Sequence, residues 1–111
     1  MKSKRVVITG MGIFCSIGKS VDEFAQSLKE GRSGIGPVTL FDTSKYPSRI
    51  GAEVRGYQPE KYFKKRDLKR LSRTDQLGLI AAEEAVKNSG IDSYPPEEIG
   101  VCLGAGAGGM F

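Results

Sequence analysis

The stretch Lys4–Gly18, KRVVITGMGIFCSIG, decides the fold, because it joins a short apolar run to a turn that is rich in glycine. Val6–Thr9 is apolar or β-branched without alternation, which is typical of a strand buried on both faces in the parallel sheet of an α/β protein. Gly10, Gly12 and Gly18 then allow sharp turns and a close backbone approach to a neighbouring element. The stretch therefore predicts a first core strand followed by a tightly packed loop.

Helices and short strands are predicted along the rest of the chain. A helix is expected at 21–30, with Ser20 and Glu23 as a capping box and Gly31 at the left-handed position after its end. The clearest helix is expected at Thr74–Ser89, because this stretch holds good helix formers. The other predicted elements are a strand at Ile50–Val54, a helical turn at Pro59–Phe63, a short helix at about Arg66–Leu71 and a second buried strand at Ile99–Leu103.

A stripe of small residues is expected along the helix at 74–89, at spacings of four, three and four. These residues are Gly78, Ala82, Ala85 and Ser89. Such a stripe allows very close packing against a neighbouring element. A helix with so much small or apolar surface is expected in a larger core than 111 residues supply.

Composition excludes several classes of site. The 111 residues suffice for one domain, and no apolar run approaches the roughly 20 residues of a membrane helix. No signal peptide is evident, so a cytoplasmic location is expected and Cys15 and Cys102 are expected to be free thiols. The chain has no histidine, which excludes a Ser-His-Asp triad, a Cys-His pair and a His-ligated zinc. We predict no metal and no cofactor.

Two glycine motifs invite a nucleotide-binding interpretation. GMGIFCSIGKS resembles a P-loop, but the motif requires glycine at position 13, where the chain has Ile13. Gly104, Gly106 and Gly109 satisfy GxGxxG after a predicted strand, although the chain ends before the helix that a dinucleotide fold requires. Nucleotide binding is therefore kept as a remote alternative.

Positive charge is concentrated in one segment, Lys61–Arg73. It holds seven basic residues and one acid, a net charge of +6, so the other residues carry −2 of the chain's +4. Arg66, Lys69, Arg70 and Arg73 are spaced to share one face of a helix. This face is either a solvated surface or a dock for an acidic protein, an anionic lipid or a nucleic acid. Aromatic residues are few here, which argues against single-stranded nucleic acid.

Five blocks, taken in order, resemble the N-terminal portion of the β-ketoacyl-[acyl-carrier-protein] synthases. They are RVVITGMGIFCSIG, LKEGRSGI, FDTSKYPSRIGAEVRGYQPEKY, the basic segment with its Ala-rich helix ending in NSGI, and IGVCLGAGAGG. The resemblance implies a thiolase-like, layered αβαβα fold of which residues 1–111 are an incomplete, truncated N-terminal domain. It also implies a cysteine nucleophile and two histidines located beyond position 111, so that no catalytic residue lies in this chain.

The resemblance also implies two functional surfaces within the chain. Arg66, Lys69 and Arg70 match the basic residues that help to dock the acidic acyl carrier protein. Ala107 stands in GAGAGG where fatty-acid members commonly have an isoleucine that helps to close the acyl pocket, so a less gated pocket is expected. KRLSRTDQ departs from the KRMDRF-like run at Ser72 and Thr74, which points away from housekeeping fatty acid synthesis.

The leading hypothesis is therefore part of a synthase that condenses an acyl chain with malonyl-carrier protein, in fatty acid or polyketide biosynthesis. Its expected partners are acyl carrier protein and a second synthase subunit, identical or related, with no role for nucleic acid or membrane. The alternative is a non-catalytic chain that binds carrier protein or a partner subunit. On its own the chain is expected to be inactive and to have marginal stability or to aggregate.

Overall fold

The computed structural model describes residues 3–106. These residues form three α-helices, two short strands and three 3₁₀ turns. In chain order they are α1 (Val21–Lys29), β1 (Ile35–Pro37), β2 (Ile50–Ala52), Pro59–Lys61, α2 (Lys65–Leu68), α3 (Arg73–Ser89), Ile91–Ser93 and Pro96–Glu98. Strands β1 and β2 pair antiparallel, with Gly36 opposite Gly51. No helix within these residues is long and apolar enough to cross a membrane.

Helix α1 confirms the helix predicted at 21–30, with a different arrangement at its start. The Ser20 hydroxyl accepts the Glu23 N–H at 3.2 Å, as a cap does. The Glu23 carboxylate accepts the N–H of Lys19 at 2.8 Å, where a closed capping box would use the N–H of Ser20. Gly31, at φ 66°, takes the left-handed conformation expected after the helix.

Helix α3 confirms the helix predicted at Thr74–Ser89 and begins one residue earlier. Ser72 caps it in a complete capping box: the Asp75 N–H donates to the Ser72 hydroxyl at 3.2 Å, and the Ser72 N–H donates to the Asp75 carboxylate at 2.9 Å. Hydrogen bonds from the Ser72 side chain and backbone hold the pKa of Asp75 below its ordinary value. Gly90, at φ 68°, ends the helix.

The two segments predicted to be core strands are not strands within the described residues. Val6–Thr9 and Ile99–Leu103 have no hydrogen-bonded neighbouring strand among residues 3–106, and Val6 and Leu103 are 92% and 91% exposed. A strand is completed by hydrogen bonds from a second strand, so apolar composition alone does not form one.

The glycine loop, Gly10–Gly18, packs tightly against α3. A Cβ at position 10 would overlap the Ala85 carbonyl oxygen, and one at position 12 would overlap that of Ala81. Close packing of the loop is therefore confirmed. The stripe that receives it is Ala81, Ala85 and Ser89, whereas Gly78 has no such neighbour within 4 Å.

A small aromatic cluster forms the centre of the described structure. Among residues 3–106, Phe14 is the one hydrophobic side chain that is buried, at 8% exposure. Its ring lies edge-on to those of Tyr57 and Tyr62, with centroids 5.7 and 5.6 Å away. Such aromatic pairs stabilise by about 1 kcal/mol beyond the area they bury. The glycine loop is thereby joined to the start of the basic segment.

Candidate functional site

The basic segment, Lys61–Arg73, spans a 3₁₀ turn, α2, a connecting turn and the first residue of α3. Arg66 lies within α2, Lys69 is its C-cap, and Arg73 begins the next helix. The prediction that four basic residues share one helix face is therefore wrong. The chain ends α2 and starts α3 between them, because Ser72 is a strong N-cap.

Arg66, Lys69 and Arg70 nevertheless lie together at the surface. All three are exposed, and the N–H groups of Arg70 and Leu71 donate to the Asp67 carbonyl at 2.9 and 3.1 Å. These bonds continue the turn of α2, which keeps Lys69 and Arg70 beside that helix. Arg66 is 3.6 Å from the Asp67 carboxylate, with its side chain 82% exposed. So exposed an ion pair contributes at most about 1 kcal/mol, so Arg66 remains available to a partner.

Arg73 has a different role from its basic neighbours. Its guanidinium carbon lies 5.1 Å from the centre of the Tyr57 ring, a cation–π arrangement. The guanidinium also donates to the Val54 carbonyl at 3.0 Å. Arg73 therefore holds the segment to the structure behind it.

The buried side chain of Gln76 supports the turn that connects α2 to α3. It accepts the Tyr57 hydroxyl at 2.8 Å and donates to the Leu71 carbonyl at 3.0 Å. Burial raises the pKa of Tyr57, with Arg73 opposing the shift, so the phenol remains a donor at neutral pH. Sequence reasoning missed Gln76, since its partners lie in separate segments.

Glu84 joins the glycine loop to α1. Its two carboxylate oxygens accept the N–H of Ile13 at 3.0 Å and the N–H of Val21 at 2.8 Å. Val21 is the first residue of α1, so its N–H has no partner within the helix. Sequence reasoning missed this contact too. The sequence offered one signal for this contact: Glu84 lies four positions after Ile80 and places a charge on the otherwise apolar flank of α3.

The residues that suggested other chemistry have structural roles. Lys19 donates to the Gly56 carbonyl at 3.3 Å, and Ser20 caps α1, so both polar residues of the P-loop-like motif make contacts within the fold.

Cys15 and Cys102 are free thiols, as expected. Residues 3–106 hold no group of three acidic or cysteine side chains placed to bind a metal ion. Ala107 and Gly109 lie outside the described residues.

Ser72, one of the two departures from the KRMDRF-like run, is explained by its position. It is the N-cap of α3, a role that aspartate fills equally well. Helix capping therefore accounts for Ser72, and the prediction of a role away from housekeeping fatty acid synthesis rests on Thr74 alone. Nothing in the structure explains Thr74.

Comparison with known proteins gives one consistent result. The family model described as "Beta-ketoacyl synthase, N-terminal domain" matches residues 3–110. Two proteins named 3-oxoacyl-[acyl-carrier-protein] synthase 2 are similar over 99% of the chain: one from Synechocystis sp. at 36% identity and one from Coxiella burnetii at 39%. The chain spans 27% of the length of each.

Solved structures of ketosynthases resemble the chain as well. The ishigamide ketosynthase/chain length factor superposes with a TM-score of 0.68 at 33% identity, over 85% of this chain and 23% of that one. A β-ketoacyl synthase from Burkholderia phymatum superposes with a TM-score of 0.63 at 28% identity, over 80% of this chain and 22% of that one. These neighbours confirm the thiolase-like α/β fold, of which the chain is a part.

Proposed function

The chain belongs to the β-ketoacyl synthase family, and on that premise we propose that it is the N-terminal part of a condensing enzyme, an acyltransferase. The enzyme would join an acyl chain to a malonyl unit held on acyl carrier protein, with loss of carbon dioxide. The observation that carries the proposal is the family match over residues 3–110. A second synthase subunit, identical or related, would complete the enzyme.

The chain would contribute binding surfaces to this reaction, while the nucleophile and its proton-transfer partners come from elsewhere in the enzyme. Its 111 residues include no histidine that could act as a general base, and Cys15 and Cys102 are free thiols. We therefore propose that the chain alone is inactive. Its own roles are to dock the carrier protein and to form one wall of the acyl pocket.

Carrier-protein docking is assigned to Arg66, Lys69 and Arg70. Three exposed cations on one turn of chain attract and orient an acidic partner, mainly by raising the association rate. The surface behind them is held by Arg73 and Gln76, through contacts with Val54, Tyr57 and Leu71. A docking surface on a supported turn loses little conformational entropy when the partner binds.

Charge reversal tests the docking surface in an active enzyme. Residues 3–110 are grafted in place of the matching segment of the Coxiella burnetii relative, and the condensation rate is measured. Arg66→Glu with Lys69→Glu is expected to lower kcat/KM for malonyl-carrier protein by about tenfold or more at low salt. The control variant, Lys29→Glu with Lys45→Glu, changes the net charge by the same amount outside the docking surface. It is expected to leave kcat/KM almost unchanged.

A small malonyl thioester separates docking from catalysis in the same chimera. Because this thioester carries no acidic protein, the condensation rate measured with it is expected to be unchanged by the reversal at positions 66 and 69. Equal losses with both substrates would show that the reversal damages the enzyme generally. An unchanged rate with malonyl-carrier protein would exclude these residues as the dock.

The acyl pocket is assigned a wall at Ala107 on the basis of the family resemblance. Alanine is smaller than the isoleucine common at this position, so a broad range of acyl chain lengths is expected to be accepted. Ala107→Ile in the chimera is expected to narrow that range by filling space, with long and branched primers losing most activity. Mass spectrometry of the products measures the range of acyl chains that each variant accepts. An unaltered profile would contradict the assignment.

A further inference from the structure

A groove lies on a second face of the basic segment, apart from Arg66, Lys69 and Arg70. Its volume is ≈ 780 Å³, and it is lined by residues 60–65 and Leu68. The 3₁₀ turn at Pro59–Lys61 forms one side and α2 forms the other. Because Lys65 and Leu68 are three residues apart on α2, they present one face to the groove.

The groove combines an apolar floor with a basic rim. Phe63 and Leu68 are half-buried, whereas Lys61, Lys64 and Lys65 are exposed. Within residues 3–106 none of these three lysines takes part in an ion pair. Glu60 is the one acid among the lining residues, so with three lysines the lining carries a net charge of +2.

Both walls of the groove are held by contacts within the chain. The Tyr62 ring packs against Phe14 and Tyr57, with centroids 5.6 and 6.0 Å away. On the other wall, the Lys64 carbonyl accepts the N–H groups of Asp67 and Leu68 at 2.9 and 3.2 Å. A preformed groove loses less entropy on binding than a flexible surface does.

We propose that this groove is a second contact surface for the acidic carrier protein, binding an apolar side chain of that protein whose neighbours are acidic. The inference rests on the proposed function, which supplies the partner. The apolar floor matches the apolar side chain, and the three lysines match the acids around it. Arg66 follows Lys65 directly, so one partner can contact the groove and the docking surface together.

A nucleic acid fits this surface less well. Single-stranded binding uses successive exposed aromatic rings on which bases stack. Tyr62 is 44% exposed, but its ring packs against Phe14 and Tyr57, and Phe63 is half-buried, so the groove does not offer a row of free rings. An acidic protein matches both the floor and the rim, which makes it the favoured occupant.

Titration of a purified bacterial acyl carrier protein into the chimera described above tests the groove. Lys61→Glu with Lys64→Glu is expected to weaken binding about tenfold, mainly through the association rate. Leu68→Ala is expected to weaken it several-fold through faster dissociation. Lys29→Glu with Lys45→Glu provides the charge-matched control. Circular dichroism confirms that each variant keeps its helices.

The outcomes separate the two proposals. If reversal at positions 66 and 69 weakens binding and reversal at 61 and 64 matches the control, the groove proposal is overturned and the docking surface stands. If the carrier protein does not bind the unaltered chimera, the proposed function itself fails. If a single-stranded oligonucleotide binds the chimera more tightly than the carrier protein does, and Lys61→Glu with Lys64→Glu abolishes that binding, the groove serves a nucleic acid and the proposal is overturned.

Discussion

Gly12→Ala is expected to destabilise the folded domain by about 3 kcal/mol, at the upper end of overpacking effects. A Cβ at this position would overlap the Ala81 carbonyl oxygen and stand 2.8 Å from the Ala85 amide nitrogen. Both atoms belong to the backbone of α3, so no side-chain rotation can relieve the overlap. The loop would have to move away from the helix and lose its packing.

Gly78→Ala is the matched control for this effect. Gly78 lies in the interior of α3 with no neighbour within 4 Å of an added Cβ. Alanine there is expected to stabilise the helix by about 0.5–1 kcal/mol. Because the isolated chain is expected to be marginally stable, urea midpoints of the chimera are compared. Equal midpoints for the two variants would contradict the close packing of loop and helix.

Glu84→Ala is expected to cost about 2 kcal/mol or more, because it removes the acceptor for two partly buried N–H groups at once. One belongs to Ile13 in the glycine loop and the other to Val21 at the start of α1. Loss of the carboxylate would leave both donors unpaired and loosen the loop from the two helices.

Glu83 provides the comparison, since it is the neighbouring glutamate on the same helix. Its ion pair with Lys87 is exposed, so Glu83→Ala is expected to cost less than about 0.5 kcal/mol. Hydrogen exchange of the Ile13 and Val21 amides distinguishes the two variants. Exchange at both sites is expected to accelerate in Glu84→Ala only. Unchanged protection there would rule out the carboxylate as their acceptor.

Helix boundaries could be predicted from the sequence because local chemistry determines them. Ser20 caps α1 as predicted, and Gly31 takes the left-handed conformation after its end, whereas the cap of Ser72 on α3 was not predicted. Each of these signals acts within a few residues, so the sequence contains all of it.

Long-range contacts account for what could not be predicted. Val6–Thr9 has the composition of a buried strand, but a strand also needs a hydrogen-bonded neighbour, which no local pattern supplies. The aromatic cluster of Phe14, Tyr57 and Tyr62 brings together residues up to 48 positions apart. Periodicity does not indicate which distant rings will meet.

The docking surface was partly predictable. Charge density located the segment Lys61–Arg73, and the family resemblance singled out Arg66, Lys69 and Arg70 within it, which lie together and exposed in the structure. Helical spacing wrongly added Arg73, because the cap at Ser72 interrupts the helix and turns that guanidinium toward Tyr57. The spacing rule holds only within one uninterrupted helix.

A salt titration decides whether this chain carries a dock for the acyl carrier protein. Affinity of purified acyl carrier protein for the chimera is measured at low and high ionic strength, with and without reversal of Arg66 and Lys69. Affinity for the unaltered chimera is expected to fall as salt rises, and the reversed variant is expected to bind weakly with a flatter salt dependence. Equal affinity of the unaltered and reversed proteins at low salt would contradict the presence of this dock.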